Sequence, residues 1–580
     1  MSSTPTDVDP ATVEVIRNYL TSAATEMQRT LIRTAYNAIV YEILDFGISM
    51  YDRDLNLVAD SPGLALFLGA NDYGLEKGVE YVGEENLDPG DIVLLNYPYW
   101  SGTHTLDVLV FAPVFDEAGE ELLGYTTCRA HWLDLGAKDS GYVLDSTDVH
   151  QEGLIFPGTK VYKEGEPDEE ILELIRYNSR IPDKVMGDLN AQIAAINTGK
   201  QRLRELHERY GTDTVDTAVE RILDHGERTA TDAVSELPDG TWSAVDYADG
   251  ALGSDRGPGK EDLIRLEAEV TISSDEFTVD FSGSQGEVNE PLNIPFGMTE
   301  TIGKLCFKTV TTPEEDSNAG QYAPLKTTAP EGNIFHATYP APTFTIWTAI
   351  LGIDVVYKAL AKAIPEKVPA SSGGDLLSIM IYGENPETGR QFVEANNEGV
   401  GWGAAPAHDG SNALMHISES MVQNVPIEVY EHKAPLEITN LKLRQNSAGA
   451  GKYRGGLGIQ RDYEFTHPVG ALSIIQKTKT DNWALEGGDS GARNAVVLHP
   501  GTDEEEWTGM MRETFDAGEG LSNRSGGGAG RGDPFERDPE AVRQDVLDEY
   551  VSREAAREEY GVVVTEDGEL DEEATDSMRS

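Results

Sequence analysis

Residues 96–134 read NYPYWSGTHTLDVLVFAPVFDEAGEELLGYTTCRAHWLD, and the rest of the chain is interpreted from them. Two apolar runs, 108–115 and 122–128, are rich in Val, Leu, Phe, Tyr and Thr. A polar break with one glycine, 116–121, separates them, so the pattern predicts two antiparallel strands joined as a hairpin. His104 and Asp107 stand just before the first strand, after a Ser-Gly turn. His131 and Asp134 repeat the His-x-x-Asp spacing after the second. Adjacent strands lie about 5 Å apart, so a hairpin would bring the two pairs together. Imidazole nitrogens and carboxylate oxygens suit zinc, manganese or iron. The plainer alternative is that these four residues cap loops and satisfy backbone groups.

The chain has 580 residues, more than one core accommodates, which predicts two to four domains. Against 45 Lys and Arg stand 102 Asp and Glu, a net charge of −57 spread along the whole length. That balance excludes a nucleic-acid surface, which needs a basic stripe, and an anionic membrane surface for the same reason. Long apolar runs argue against general disorder. The charge is instead read as adaptation to concentrated salt, where short Debye lengths screen self-repulsion. Cys128 and Cys306 are the only cysteines, which excludes a disulfide framework and a cysteine-based metal site. The opening MSSTPTDVDP has no basic region followed by an apolar run, and no stretch reaches the ~20 apolar residues of a membrane span. A soluble, cytoplasmic protein is expected.

Asp9 and Pro10 make a helix start, and Ile16, Leu20, Met27, Leu31 and Ala35 continue at helical spacing to about Tyr36. Residues 41–51 read as a strand enclosing Asp45, a carboxylate that is costly there unless paired, metal-bound or turned to solvent. A further strand, 91–95, leads into the turn before His104. After the loop 136–148, His150 is a candidate further ligand or substrate-facing donor, or an ordinary loop histidine. Helices are predicted over 167–177, 188–210 and 212–237. From about 238 the texture changes to strands at 242–247, 263–272 and 277–281, a helical stretch at 299–309, and later strands at 436–443 and 472–477. Four segments are expected: an α+β domain with the metal-type residues (1–237), a glycine-rich mixed domain (238–500), a glycine-rich loop and helix (501–564, the helix at 538–560), and a disordered acidic tail (565–580). The glycine clusters at 448–458 and 525–534 lack the Walker spacing and read as tight turns or flexible loops, so no ATP site is expected on this chain. No Gly-x-Ser-x-Gly elbow or catalytic-cysteine setting is present, which leaves metal-assisted hydrolysis as the chemistry most compatible with the residues.

Several segments together resemble the hydantoinase B/oxoprolinase family. They are DPATVEVIRNYL, LIRTAYNAIVYEILDFGISMYD, DPGDIVLLNYPYWSGTHTLDV, CRAHWLDLG, HQEGLIFPGTKVY, NAGQYAPLKTTAPEG, GKYRGGLGIQRDYEF and the run from GRGDPFERDP to EEYGVV. The resemblance implies a large α+β, multi-domain hydantoinase B-like fold with mixed sheets and a long N-terminal helix. It implies a hetero-oligomer in which ATP is bound by a hydantoinase A-type ATPase subunit, which phosphorylates the substrate. The small-molecule substrate would be a cyclic amide, or a ketone if the chain is instead a subunit of an acetone- or acetophenone-type carboxylase. A non-catalytic scaffold for the ATPase is the third possibility. The family's metal motifs map onto Asp45, His104, Asp107 and His131, which would hold a divalent zinc, manganese or iron ion. Asp134 and His150 fall where shell or substrate-contact residues sit, with Asp134 orienting a ligand. This chain has His131-Trp132 where the family often has His-His, and Leu44-Asp45-Phe46-Gly47 where it has Arg-Asp-Phe-Ser. Those departures bear on substrate class.

The acidic composition makes one physical prediction. The melting temperature should rise with KCl concentration in thermal melts followed by circular dichroism, and a melt indifferent to salt would reject adaptation to concentrated salt.

Overall fold

The computed structural model describes residues 8–254, 262–419 and 421–580. Residues 1–7, part of the opening read above as lacking a leader, lie outside the described residues. The chain divides into two compact units. The first comprises Met1–Thr241, Glu269–Ala349 and Ser418–Gln423, and the second Trp242–Ala268, Ile350–Ile417 and Asn424–Ser580.

The first unit starts with α1 (Pro10–Thr34). Asp9 caps it, its Oδ1 accepting from the backbone N–H of Ala11 and Thr12. The predicted stripe Ile16, Leu20, Met27 and Leu31 is buried. After the short α2 (Ala38–Tyr41) come β1 (Phe46–Tyr51), β2 (Leu57–Asp60), α3 (Ala65–Val82) and β3 (Ile92–Leu95). The turn α4 (Pro98–Ser101) leads to β4 (Asp107–Phe115) and β5 (Leu122–His131), followed by β6 (Pro157–Lys163) and β7 (Glu166–Pro167). Three helices close this half: α5 (Glu169–Asn178), α6 (Pro182–Tyr210) and α7 (Thr212–Ser235).

The seven strands form one antiparallel sheet in the order β2-β1-β5-β4-β3-β6-β7. α6 packs on β4 and β5, and α1 packs on α6. α3 packs on β1, β3, β4, β5 and β6, and α8 (Phe296–Thr311) packs on α3. Nearly every residue of β4 and β5 is buried, which is why their sequences run apolar without alternation. Cys128 and Cys306 are both buried.

One strand is shorter than its sequence pattern. The expected strand 41–51 begins only at Phe46, because Leu44 takes a left-handed φ of 68° that breaks the extended run. The turn before it is held by Asp188 of α6, which accepts from the N–H of Tyr36 at 2.7 Å and of Asn37 at 3.1 Å. Asp45 is therefore buried at the mouth of β1 rather than turned to solvent.

In the second unit, two antiparallel sheets pair Gln391–Asn397, Ser378–Glu384, Val469–Ile474 and Met511–Phe515, and Leu436–Leu443, Ile459–Phe465, Gly520–Arg524, Ala495–Leu498 and Glu506–Thr508. The glycine clusters are neither tight turns nor flexible loops. Their glycines are mostly buried and backbone-bonded, to one another and to a neighbouring segment: Gly449 N–H donates to Gly528 O at 2.8 Å, Gly528 N–H to Gly456 O at 2.9 Å, and Gly456 N–H to Trp402 O at 2.7 Å. A Cβ on Gly528 would lie 1.9 Å from Trp402 O. Backbones packed this closely leave no room for side chains.

The predicted helix 538–560 is two helices, Pro539–Leu547 and Arg553–Tyr560, separated where Glu549 takes a φ of 59°. The acidic tail, expected to be disordered, ends in a helix, Glu572–Arg579. Its few inward groups hold it: Thr575 is buried and its hydroxyl accepts from Val563 N–H at 3.0 Å, while Arg579 Nε donates to Tyr560 O at 3.0 Å. Among the described residues, no helix is long and apolar enough to cross a membrane.

Gly528→Ala should destabilise the second unit by about 1–3 kcal/mol, the cost of overpacking, and lower the melting temperature of the full chain. An unchanged melt would show that these backbones can separate freely.

Candidate metal centre

The β4–β5 register places Asp107 directly opposite His131. His131 Nδ1 lies 2.9 Å from Asp107 Oδ1. With the proton assigned to Nδ1, this pairing leaves an electron pair on Nε2, the arrangement in which a carboxylate orients a metal-binding imidazole. His104 sits in the turn before β4, with its Nδ1 3.3 Å from Asp107 Oδ2. The same Nδ1 accepts from Leu106 N–H at 3.2 Å. Its Nε2 lies 3.0 Å from the hydroxyl of Tyr142. One ligand atom from each of His104, Asp107 and His131 falls within 4.8 Å of the others, and all three residues are buried.

The unpartnered atoms test whether this set suits a cation. Asp107 Oδ2, His131 Nε2 and Asp45 Oδ1 are buried and have no hydrogen-bond partner among the described residues. Leaving such groups unpaired is costly, and a cation held by the triad would satisfy Asp107 Oδ2 and His131 Nε2. Burial holds both imidazoles below their usual proton affinity, in the neutral form that binds metals. Burial also pushes Asp107 well above the usual carboxylate range, although Arg129 opposes this. Asp45 rises to about 8, again through burial first. These are the shifts a nearby divalent ion would reverse. The residues fit a metal ion.

Asp45 stands beside the triad without being one of its three members. Its backbone carbonyl accepts from His131 N–H at 3.2 Å, and its charge acts on both His131 and Asp107. Asp134 is not brought to the triad. Its Oδ1 accepts from Arg180 Nη1 at 2.6 Å, and its Oδ2 from Ser179 Oγ and Arg180 N–H. The carboxylate expected to orient a ligand is occupied by a guanidinium, and Asp107 itself orients His131. His150 is exposed and pairs with the hydroxyl of Tyr339 at 2.9 Å.

Residues that the sequence reading passed over build the surroundings. Arg129 is fully buried. Its guanidinium donates to Thr103 Oγ1, Asp107 O, Ser101 O and Ala70 O, and its Nε to Asn71 Oδ1, which locks the His104 turn to α3. Tyr142 stacks on His131 with ring centroids 5.6 Å apart and meets His104 edge-on at 5.2 Å. Phe344 closes the same wall, 5.4 Å from the Tyr142 ring and 5.9 Å from His104. Glu152 ties the wall together. Its Oε1 accepts from Ser146 Oγ at 2.7 Å and from Thr343 N–H at 3.0 Å, while its backbone oxygen accepts from Thr105 Oγ1 at 2.6 Å. One residue thus joins the segments next to Tyr142, Phe344 and His104. A motif of the form HQEG draws attention to its histidine; the buried glutamate beside it makes these contacts.

A family model described as Hydantoinase B/oxoprolinase matches residues 9–534. The chain is 32% identical, over 100% of both chains, to a Pseudomonas protein described as the B component of a D-/L-hydantoinase. It is 29% identical to the beta chain of the caprolactamase of Pseudomonas jessenii, over 99% of each. The solved structure of the ATP-dependent caprolactamase from that organism superposes with a TM-score of 0.90 at 28% identity, covering 99% of this chain and 100% of that one. An acetone carboxylase structure shares the fold, with a TM-score of 0.87 at 20% identity over 98% of this chain and 82% of that one. The chain is a member of the hydantoinase B/oxoprolinase family.

Proposed function

We propose that this chain is the B-type subunit of an ATP-dependent cyclic amidase that opens a hydantoin-, 5-oxoproline- or lactam-like ring. The observation that carries the proposal is the buried His104–Asp107–His131 triad, with its unpartnered ligand atoms, in a chain similar to hydantoinase and caprolactamase components. His104, Asp107 and His131 would hold a zinc, manganese or iron ion, with Asp45 alongside. Such an ion, when bound, polarises a carbonyl or lowers the pKa of a water toward ~7. The reaction adds water across the ring C–N bond, hydroxyl to the carbonyl carbon and proton to the nitrogen. A hydantoinase A-type ATPase, in a hetero-oligomer with this chain, would transfer the γ-phosphoryl group of ATP to the ring carbonyl oxygen, and a second water would release it as phosphate, so that ring amide, ATP and two waters give the opened amino acid, ADP and phosphate.

The chain's own residues have separable tasks in this scheme. Asp107 Oδ1 holds the proton of His131 Nδ1, which keeps Nε2 free to bind. Tyr142 and Phe344 offer an apolar wall over the two imidazoles that excludes water and packs against a ring. Glu152 holds that wall in place through Ser146 and Thr343.

The first test pairs metal content, by elemental mass spectrometry, with ring opening. Wild type should carry near-stoichiometric metal and, with an A-type partner and ATP, hydrolyse at least one cyclic amide from a panel. His104→Ala and His131→Ala should fold but lose both metal and turnover. No turnover of any ring would sink the amidase reading, and bicarbonate-dependent ATP consumption with a ketone would replace it with a carboxylase. Full activity in both histidine variants would leave only a scaffold.

Glu152→Ala should keep its metal yet lose about 100-fold in kcat/KM, the scale of a ~1 Å misplacement near the reacting atoms. Glu152→Gln retains an acceptor oxygen and should recover part of that loss. Metal lost together with activity would show that Glu152 supports the triad itself and not the wall above it.

A further inference from the structure

One short stretch returns from far along the chain to the segments flanking Asp45. Ser418–Gln423 belongs with the first unit, although the chain before and after it belongs to the second. Both ends are tied down around Asp45. Gln423 N–H donates to Ile43 O at 3.0 Å, two residues before Asp45. Leu66 N–H donates to Ser418 O at 3.2 Å, and Leu64 N–H donates to the carbonyl of Phe46, the residue after Asp45, at 2.9 Å.

Between these ties lies Glu419. The backbone turns there, Val422 N–H donating to Glu419 O at 3.1 Å, and the side chain is only 5% exposed. Ser418 Oγ donates to its Oε1 at 3.1 Å, which fixes the direction of the carboxylate. Its charge reaches both Asp45 and Tyr142, raising the proton affinity of each. Asp45 borders His131, and Tyr142 lies against both triad histidines. The segment that carries Glu419 is thus anchored near Asp45 by backbone hydrogen bonds, and Ser418 holds the Glu419 carboxylate.

We propose that Glu419 is a further carboxylate of the metal centre, which together with Asp45 sets how tightly a divalent cation is held. A hard divalent cation gains from each carboxylate oxygen nearby, whether it binds directly or orients what binds. The inference rests on the triad being a metal site.

The test is calorimetric titration of the chelator-stripped full chain with Mn2+ alone, then with Zn2+ alone. Glu419→Gln should weaken binding about 10- to 100-fold, the usual effect of removing a group that supports a metal's ligands, with circular dichroism unchanged. Glu419→Asp keeps the charge and should recover part of the loss. Ser418→Ala removes only the orienting hydroxyl; it should weaken binding in the same direction but less, and it serves if Glu419→Gln does not fold. Wild-type affinity in Glu419→Gln, or in Ser418→Ala if only that variant folds, overturns this inference alone, provided His131→Ala abolishes binding. A folded wild type that binds neither ion overturns the metal reading and this inference with it.

Discussion

Asp107 and His131 face each other across one antiparallel register, and the centre depends on that pairing. A slip of one residue in the hairpin would turn both side chains to the opposite face of the sheet. Burial of the strands on both faces resists such a slip. The same burial keeps the imidazoles neutral and makes any unpaired carboxylate costly. Structural constraint and ligand chemistry therefore have one source: a covered sheet whose end carries polar side chains inward.

The polar groups around the triad are used for holding, and each joins elements distant in sequence. Arg129 fastens the His104 turn to α3, at the expense of burying a guanidinium whose pKa falls to about 10 through desolvation. Asp188 fastens the turn before Asp45 to α6. Glu152 joins three loop segments through one carboxylate and one carbonyl. Breaking one partner of such a buried arrangement leaves the others unsatisfied, at about 1–3 kcal/mol each. The second unit is held by a different means. Its glycine runs pack backbone against backbone, a constraint on what is absent from each position.

Much of the first unit was legible in its residues. The apolar stripe of α1, its Asp-Pro start and the hairpin around 116–121 are local patterns, and local patterns reflect short-range physics. His104, Asp107 and His131 were readable because the hairpin that unites them is itself local. The glycine runs misled for the same reason: glycine is a turn former by local preference, and only its neighbours in space make these runs buried, backbone-bonded segments. The acidic tail has too few apolar residues to order itself, but Thr575 and Arg579 find partners elsewhere in the fold. Asp134 and His150 pair with Arg180 and Tyr339, partners distant in sequence that no local pattern announces.

The sequence by itself determined the hairpin, the four polar residues flanking it, the absence of a basic stripe and the likeness to a family. It did so through periodicity, turn chemistry and motif order, all of which act over a few residues. Only the tertiary structure decided that Asp45 is buried, that Tyr142 and Phe344 wall the imidazoles, that Glu152 ties that wall together, and that Ser418 and Gln423 bond back to Leu66 and Ile43. Those contacts join residues up to several hundred positions apart. Which segments meet is settled by packing of the whole sheet and its helices, and no local pattern carries that information.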